Sequence, residues 1–469
     1  MGFMMLNIAG RALAAQQLAL DVTGNNMANA TTPGYRAETA NLTEAPPQPI
    51  TSLQGSELGT GVVVSSVSRA WNPFLSRSVR TQLSNQGYWS SVNQGLSQIQ
   101  SLFQEPSASG LQEGLNQFFA SWQTLSNNPE NQASQEDVIQ QGKNIAGQFN
   151  QMAQSITAEM QNLTQTAQNQ VSQVNTLSSE IAQLNTQIAT VTSGGGTAND
   201  LEDQRGVLLD NLSQLTNISY TLSPNQEVNV YIGSNAMVVN GQSYTIGLTQ
   251  ATTAPANYPT NAPLPYSLTW QSSSGATPIP LTGVNSGQLS GTLSVLNNNL
   301  PLYLAQLNGL ANNLSTAVNA VSQVSGGFFT TVTAADGASQ LSLVSGLTPS
   351  ALQDPTNPGN GSAAMAVSEL ATEPVSITTG TSTTTYAAID PQYTALVGQV
   401  GVDGQNAVNQ GHTASSTLTS LKNARQSATG VDLNQQSAQL IQEQQSYSAA
   451  ATMVSVEQST MQSLLQAVG

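Results

Sequence analysis

The amino-acid sequence predicts a mainly α-helical protein with β inserts, of the α+β class. Three features predict it: apolar heptads at both chain ends, a long heptad-bearing segment over residues 140–191, and a stretch over 217–285 where apolar and polar residues alternate. A seven-residue apolar period is typical of helices that pack side by side, whereas a two-residue period is typical of strands. We therefore expect long coiled-coil-like helices, with one or more small β domains inserted between them.

The two chain ends carry the clearest apolar repeat, and we interpret its positions as an assembly interface. Neither end has enough apolar bulk to fold alone, so each is expected to pair with the other. An ordinary amphipathic core helix is the alternative. The predicted interface residues are Leu6, Leu13, Leu20 and Met27 near the N-terminus, then Leu433, Leu440, Tyr447, Val454, Met461 and Val468 near the C-terminus, with Leu465 on a half-polar companion line.

Local signals mark where these terminal helices end and begin. The first helix should end near Asn29, because Pro33 and Gly34 follow and both interrupt helices. The last helix should begin after Asp432, whose carboxylate can accept from first-turn N–H groups, with Gln435 placed to complete a capping box.

The interior alternates between helical and β segments. The 140–191 helix should end at the glycines of residues 194–196, and Asn240 with Gly241 predicts a hairpin turn. Further helices are expected over 200–215, 286–324 and 391–425. The predicted domains are a terminal helical assembly domain (1–40 plus 430–469), a helical rod domain (41–216 plus 286–325 plus 391–429) and an outer β-rich domain (217–285 plus 326–390).

The composition argues against several classes of function. Charged residues make up 7% of the chain, against about 25% in ordinary proteins, and the net charge is −16. Nucleic acid and anionic membrane surfaces are poor partners for such a chain, since both require clustered Lys and Arg. There is no cysteine, and His412 is the single histidine. We expect no catalytic site, no metal site and no cofactor, and we interpret Glu202 and Asp203 as stabilising a helix N-terminus.

Residues 22–35 read VTGNNMANATTPGY, which resembles the signature of flagellar axial proteins. Residues 200–210 read DLEDQRGVLLD and resemble a segment of the FlgK family of hook-associated proteins. The residues that carry the axial-protein signature are Asn25, Asn26, Ala28, Asn29, Thr32, Pro33, Gly34 and Tyr35.

The resemblance implies a structural subunit of the flagellar hook–filament junction. Such a subunit would form a homo-oligomeric ring or short helical layer between the hook protein and a second hook-associated protein. An export chaperone would bind its C-terminal helix, and it would leave the cell through the flagellar type III system without a cleaved signal peptide. A hook or distal rod protein, a coiled-coil-stalked adhesin or phage-fibre-like protein, and an enzyme embedded in the β insert are the alternatives.

Overall fold

The computed structural model describes residues 2–49, 57–103, 105, 107–108, 110–273, 275–379 and 382–468. Long helices dominate, and every strand pairing is antiparallel within a small sheet, so the predicted α+β class is confirmed. The helices are α1 (Gly2–Ala28), α2 (Pro73–Phe103), α3 (Leu111–Asn127), α4 (Gln132–Ser193), α5 (Asn199–Leu215), α6 (Gln288–Ser294), α7 (Leu300–Val321), α8 (Gly337–Gln340), α9 (Ser362–Glu369), α10 (Ile389–Thr429) and α11 (Leu433–Val468).

The strands occur in two long stretches of the chain and one short hairpin. They are β1 (Glu38–Glu44), β2 (Gln48–Pro49), β3 (Glu57–Leu58), β4 (Val62–Arg69), β5 (Ser219–Leu222), β6 (Val228–Ile232), β7 (Asn235–Val239), β8 (Gln242–Ser243), β9 (Thr245–Gln250), β10 (Tyr266–Gln271), β11 (Ile279–Pro280), β12 (Val375–Thr379) and β13 (Ser382–Tyr386). The sheets are β1–β4, β2–β3, β5–β6–β7–β8, β11–β10–β9 and β12–β13.

Several local predictions are confirmed. Helix α1 ends at Ala28, and α4 ends just before the glycine run. Asp432 Oδ1 accepts from the backbone N–H of Asn434 at 2.9 Å, which caps α11. The β7–β8 turn contains Asn240 and Gly241, both with positive φ (48° and 75°), as a tight hairpin requires.

The chain divides into two compact units, and the boundaries between them fall inside α2, α4 and α10 and between β8 and β9. The first comprises Met1–Leu83, Asn175–Tyr244 and Ser416–Gly469, and the second comprises Ser84–Val174 and Thr245–Ser415. This division differs from the predicted three parts, because strands β5–β8 belong to the same unit as the terminal helices. Arg205 and Asn185 hold that sheet to α5 and α4: Asn185 Oδ1 accepts from Arg205 Nη1 at 2.9 Å and from the backbone N–H of Val228 at 3.1 Å.

The second unit contains the large apolar core. Helix α4 contributes the periodic side chains Ile145, Phe149, Met152 and Ile156, all buried, as its heptads predict. Aromatic rings fill the space between α3 and the segment after α7, with ring centroids of neighbouring pairs 4.8–6.3 Å apart. The rings are those of Phe118, Phe119, Trp122, Phe328 and Phe329. Burying an aromatic side chain stabilises a fold by about 1.5–3 kcal/mol, so this cluster is a main source of the unit's stability.

Candidate assembly interface at the paired chain ends

Helices α1 and α11 pair in an antiparallel arrangement through small and polar side chains. Residue numbers rise along one helix as they fall along the other, because Thr23 contacts Glu443 and Asn26 contacts Gln436. The buried positions of α11 are spaced by seven residues. The buried residues are Ala9, Ala15, Ala19, Val22, Thr23 and Asn26 on α1, and Gln436, Glu443 and Ala450 on α11; we call them the buried line.

Two buried polar contacts fix the register of this pair. Thr23 Oγ1 donates to Glu443 Oε2 at 2.9 Å, and Asn26 Nδ2 donates to Gln436 Oε1 at 3.0 Å. A buried polar group that loses its partner costs about 1–3 kcal/mol, so sliding one helix along the other would leave all four groups unsatisfied. A single polar residue in a coiled-coil seam specifies register in the same way.

The predicted interface residues lie beside the buried line and not on it. Those that are half-buried are Leu13, Leu20, Met27, Leu440, Val454 and Met461. Those that are exposed are Leu6, Leu433, Tyr447 and Leu465. The side chain of Val468 lies outside the described residues. Their role in assembly stays a prediction.

The heptad period of α11 holds, but the buried line has a different phase from the apolar residues. Leu440 follows Gln436 by four residues, and Val454 follows Ala450 by four, so the apolar residues flank the buried ones. Sequence reasoning missed the α11 part of the buried line, Gln436, Glu443 and Ala450, because these residues are polar or small. Their own seven-residue spacing was the signal that could have located them.

The side chain of Asn26, on α1, contacts the turn that follows α1, strand β1 and helix α11. Its Oδ1 accepts from the backbone N–H of Glu38 at 2.8 Å and from Tyr35 Oη at 2.9 Å. Its Nδ2 donates to the Glu38 carbonyl at 2.8 Å and to Gln436 on α11. Because the amide is 1% exposed and both of its ends are satisfied, no other side chain of this size would fit without leaving a buried polar atom unpaired.

The other signature residues shape the turn that follows α1. Asn29 Nδ2 donates to Asn25 Oδ1 at 2.8 Å, and Thr32 Oγ1 donates to Asn29 Oδ1 at 3.1 Å. The Thr32 backbone N–H donates to the Asn29 carbonyl at 2.9 Å. Ala28 and Pro33 are exposed. The signature therefore encodes one hydrogen-bonded helix end, which directs the chain into β1.

Gly34 allows this turn to approach α5. Its φ is +85°, and a Cβ added there would collide with the side chain of Val207. We predict that Gly34→Ala destabilises the protein by about 2–4 kcal/mol, the sum of left-handed backbone strain and overpacking. The matched control is Gly24→Ala in α1, where a Cβ meets nothing within 4 Å and helix propensity favours alanine by up to about 1 kcal/mol. Urea unfolding of both variants measures the difference, and equal stabilities would contradict the collision.

A cluster of arginines and carboxylates fastens the turn and β4 to α5. Asp203 Oδ2 accepts from the Arg36 backbone N–H at 2.8 Å, while Arg69 Nη1 lies 2.8 Å from Asp203 Oδ1. Arg69 Nε also donates to Glu202 at 2.7 Å. Burial lowers the pKa of Arg36 to about 10, and burial raises the pKa of Asp203 although both arginines oppose this. The guanidinium groups of Arg36 and Arg69 also lie over the Trp71 ring, 4.3 and 5.0 Å from its centroid.

Asp210 joins α2, α5 and α10 in the same cluster. Its two oxygens lie 2.9 Å from Arg80 Nε and 2.7 Å from Arg425 Nη1. Glu202 and Asp203, which the sequence predicts to stabilise the start of α5, therefore also belong to an ion-pair cluster that Asp210 extends. They pair with arginines that lie more than a hundred residues away in the sequence.

Among the residues that the structure describes, no group of three or more His, Cys, Asp or Glu side chains could hold a metal ion. His412 is exposed on α10. None of the described helices combines the length and the apolar character that a membrane span requires.

Comparison with known proteins assigns the chain to a class. The profile described as "Flagella basal body rod protein" matches residues 6–36, which hold α1 and the signature turn. The profile described as "Flagellar hook-associated protein FlgK helical domain" matches residues 96–328. Paired chain ends with this turn, together with these matches, define a flagellar axial protein. Within that class, residues 96–328 match the helical domain of the FlgK family, and the chain is similar to hook-associated proteins.

The chain is also similar to individual proteins. Flagellar hook-associated protein 1 of Bacillus subtilis is 29% identical over 513 aligned positions, covering 100% of this chain and 98% of that protein. The Salmonella typhimurium protein of the same name is 28% identical, over 67% of this chain and 56% of its own length. The flagellar hook junction protein FlgK of Burkholderia pseudomallei, a solved structure, aligns with a TM-score of 0.47 and 22% identity, over 54% of this chain and 46% of that one.

Proposed function

We propose that the chain is a structural subunit of the bacterial flagellum that forms the hook–filament junction. In this proposal α1 and α11 assemble with their counterparts in other copies, and the resulting ring or short helical layer is required for filament attachment. The hook protein lies on one side and a second hook-associated protein on the other. The role is structural and not enzymatic.

The observation that carries the proposal is the apolar surface left on α11 after it pairs with α1. Exposed fractions range from 46% to 69% among six of its apolar side chains. These are Leu433, Ile441, Met453, Val456, Leu464 and Leu465. Apolar side chains concentrated on one exposed helix mark a protein-binding surface. The low charge of the chain supports contacts between identical copies, since neutral polar faces meet without repulsion.

The same surface needs protection before assembly. We propose that an export chaperone binds α11 inside the cell, because an amphipathic helix with exposed apolar residues fits a hydrophobic groove on a partner. The subunit would then leave through the flagellar type III system, and it would reside outside the cell in the flagellum.

Deleting the gene tests the proposal. We expect cells that build hooks of normal length, carry no filaments and release flagellin into the medium, because the filament has no subunit to attach to. Negative-stain microscopy and an assay of secreted flagellin measure this, and a plasmid copy of the gene should restore filaments. Cells without hooks would indicate a rod or hook protein instead, and cells with normal filaments would indicate an adhesin-like protein.

A further inference from the structure

The unit that contains the terminal helices holds a cavity of about 460 Å³ beside the start of α5. Part of its wall is apolar and aromatic, from Trp71, Leu209 and Tyr220. The rest is cationic: Arg69, Arg80 and Arg205 line it, and Glu202 is the one carboxylate among its described lining residues. An excess of positive charge is unusual in a chain whose net charge is −16.

The basic residues of the chain are concentrated here. The sequence has nine Lys and Arg residues, and five of them lie in the cavity wall or in the ion pairs next to it. Those five are Arg36, Arg69, Arg80, Arg205 and Arg425. Three carboxylates, Glu202, Asp203 and Asp210, form the ion pairs with them in the described structure. The cluster is therefore short of negative charge.

Two arginines of the cavity wall, Arg80 and Arg205, are buried without full pairing. Arg80 is 3% exposed; its Nε pairs with Asp210, yet its Nη1 is buried and has no partner among the residues described. Arg205 is also 3% exposed, and its Nη1 donates to Asn185 and to the Gln226 carbonyl, at 2.9 and 2.6 Å. No described carboxylate lies within ion-pair distance of Arg205. A buried cation without an anion is costly, and burial lowers the pKa of Arg205 to about 10.

The N-terminus of α5 adds a second source of positive potential. Residues 196–199 line the cavity, and Ala198 at the N-cap provides no side chain to accept the first-turn N–H groups. The first N–H groups of a helix lack partners within the helix, and together with the helix dipole they bind anions. Helix α5 is 17 residues long, so its dipole is fully developed.

We propose that this cavity binds a small oxyanion, a phosphate or carboxylate group held by Arg80, Arg205 and the N-terminal amides of α5. The planar guanidinium groups match the geometry of such an anion, and the anion supplies the negative charge that the cluster lacks. The cavity is larger than one inorganic phosphate needs, and the Trp71, Leu209 and Tyr220 side of the wall fits the apolar part of an organic anion. This inference does not depend on the proposed role in the flagellum.

Calorimetric titration of the purified full-length chain tests the site. The probes are inorganic phosphate and citrate, each titrated at constant ionic strength, with sodium chloride as the control for screening. We expect saturable binding of one anion per chain and a rise in the unfolding midpoint of roughly 3–8 °C at saturation. Tighter binding of phosphate or of citrate identifies which oxyanion the cavity prefers. Binding that does not saturate, or that chloride reproduces, would overturn the proposal.

Variants at one exposed position locate the anion without removing any arginine. Thr197 is exposed and lines the cavity next to the N-cap of α5. Thr197→Glu places a carboxylate beside the arginines and the helix N-terminus, so we expect anion affinity to fall at least about tenfold while the midpoint without ligand stays the same or rises. Thr197→Gln, which has the same length and no charge, should bind as the wild type does.

Arginine variants separate the site from general electrostatics. Arg205→Gln should lose anion binding, and circular dichroism checks that the variant folds. Arg77→Gln is the matched control, because Arg77 is an exposed arginine of the same unit that does not line this cavity. Equal loss in both arginine variants, or full binding by Thr197→Glu, would show that the anion does not occupy this cavity.

Discussion

Val454→Asp is expected to yield cells with hooks but without filaments, as a consequence of the proposed assembly through α11. Val454 is half-buried and follows Ala450 of the buried line by four residues. An unpaired carboxylate in an apolar contact costs several kcal/mol, and the cost recurs in every copy of an oligomer. Leu440→Asp, at the equivalent position two heptads earlier, should behave in the same way. Microscopy of complemented deletion cells and the amount of released flagellin measure the effect.

The control for this experiment adds the same charge to another side of the same helix. Gln442 is exposed and lies on a different side of α11 from Val454, where its neighbours one turn away include Gln439, Gln445 and Ser446. Gln442→Asp should support filaments in numbers close to wild type. Both proteins must be secreted in equal amounts, since an export defect would mimic an assembly defect. Motile, filamented Val454→Asp cells would remove this side of α11 from the interface, and loss of filaments in Gln442→Asp would extend the interface to the polar side of the helix.

The helices and turns could be predicted because their signals are local. The seven-residue period located α11, Asp432 fixed its first turn, and Asn240 with Gly241 located a hairpin. The phase of the α1–α11 pair could not be predicted from apolar residues, because polar contacts such as Thr23 to Glu443 occupy its centre. A polar residue at a buried position has no local feature that distinguishes it from a polar residue in solvent.

The arginine–carboxylate cluster could not be predicted either, because its partners lie far apart in the sequence. Local sequence shows Asp203 as an acidic residue in the first turn of a helix, and this is correct for its own helix. It does not show that Arg36 and Arg69, more than 130 residues earlier, meet it in the fold. The resemblance of segment 200–210 to the FlgK family indicated the class of protein, but it did not reveal the ion pairs that these residues form. The structure supplies the reason why these charged residues occur in a chain that has so few.

Asp210→Asn is expected to destabilise the unit that contains the terminal helices by about 3 kcal/mol, because removing one partner of a buried ion pair leaves the other charge uncompensated. Asp210 accepts from Arg80, whose side chain is 3% exposed, and from Arg425, whose side chain is 21% exposed. Asparagine preserves the shape and one acceptor oxygen but removes the charge from between the two guanidinium groups. For a unit of this size, the unfolding midpoint should fall by roughly 6–12 °C.

Hydrogen exchange can show which part of the chain loses stability in Asp210→Asn. Amides of α5, which carries Asp210, should exchange faster in the variant, while amides of α3 in the other unit should keep their wild-type protection. Asp21→Asn is the control, since Asp21 is exposed and contacts only Gln17 among its described hydrogen-bond partners, so its effect should stay below about 0.5 kcal/mol. If Asp210→Asn matched this control, the ion pairs would contribute no net stability. The cluster would then be retained for its positive potential toward the neighbouring cavity, and anion binding by the variant would have to stay as tight as in the wild type.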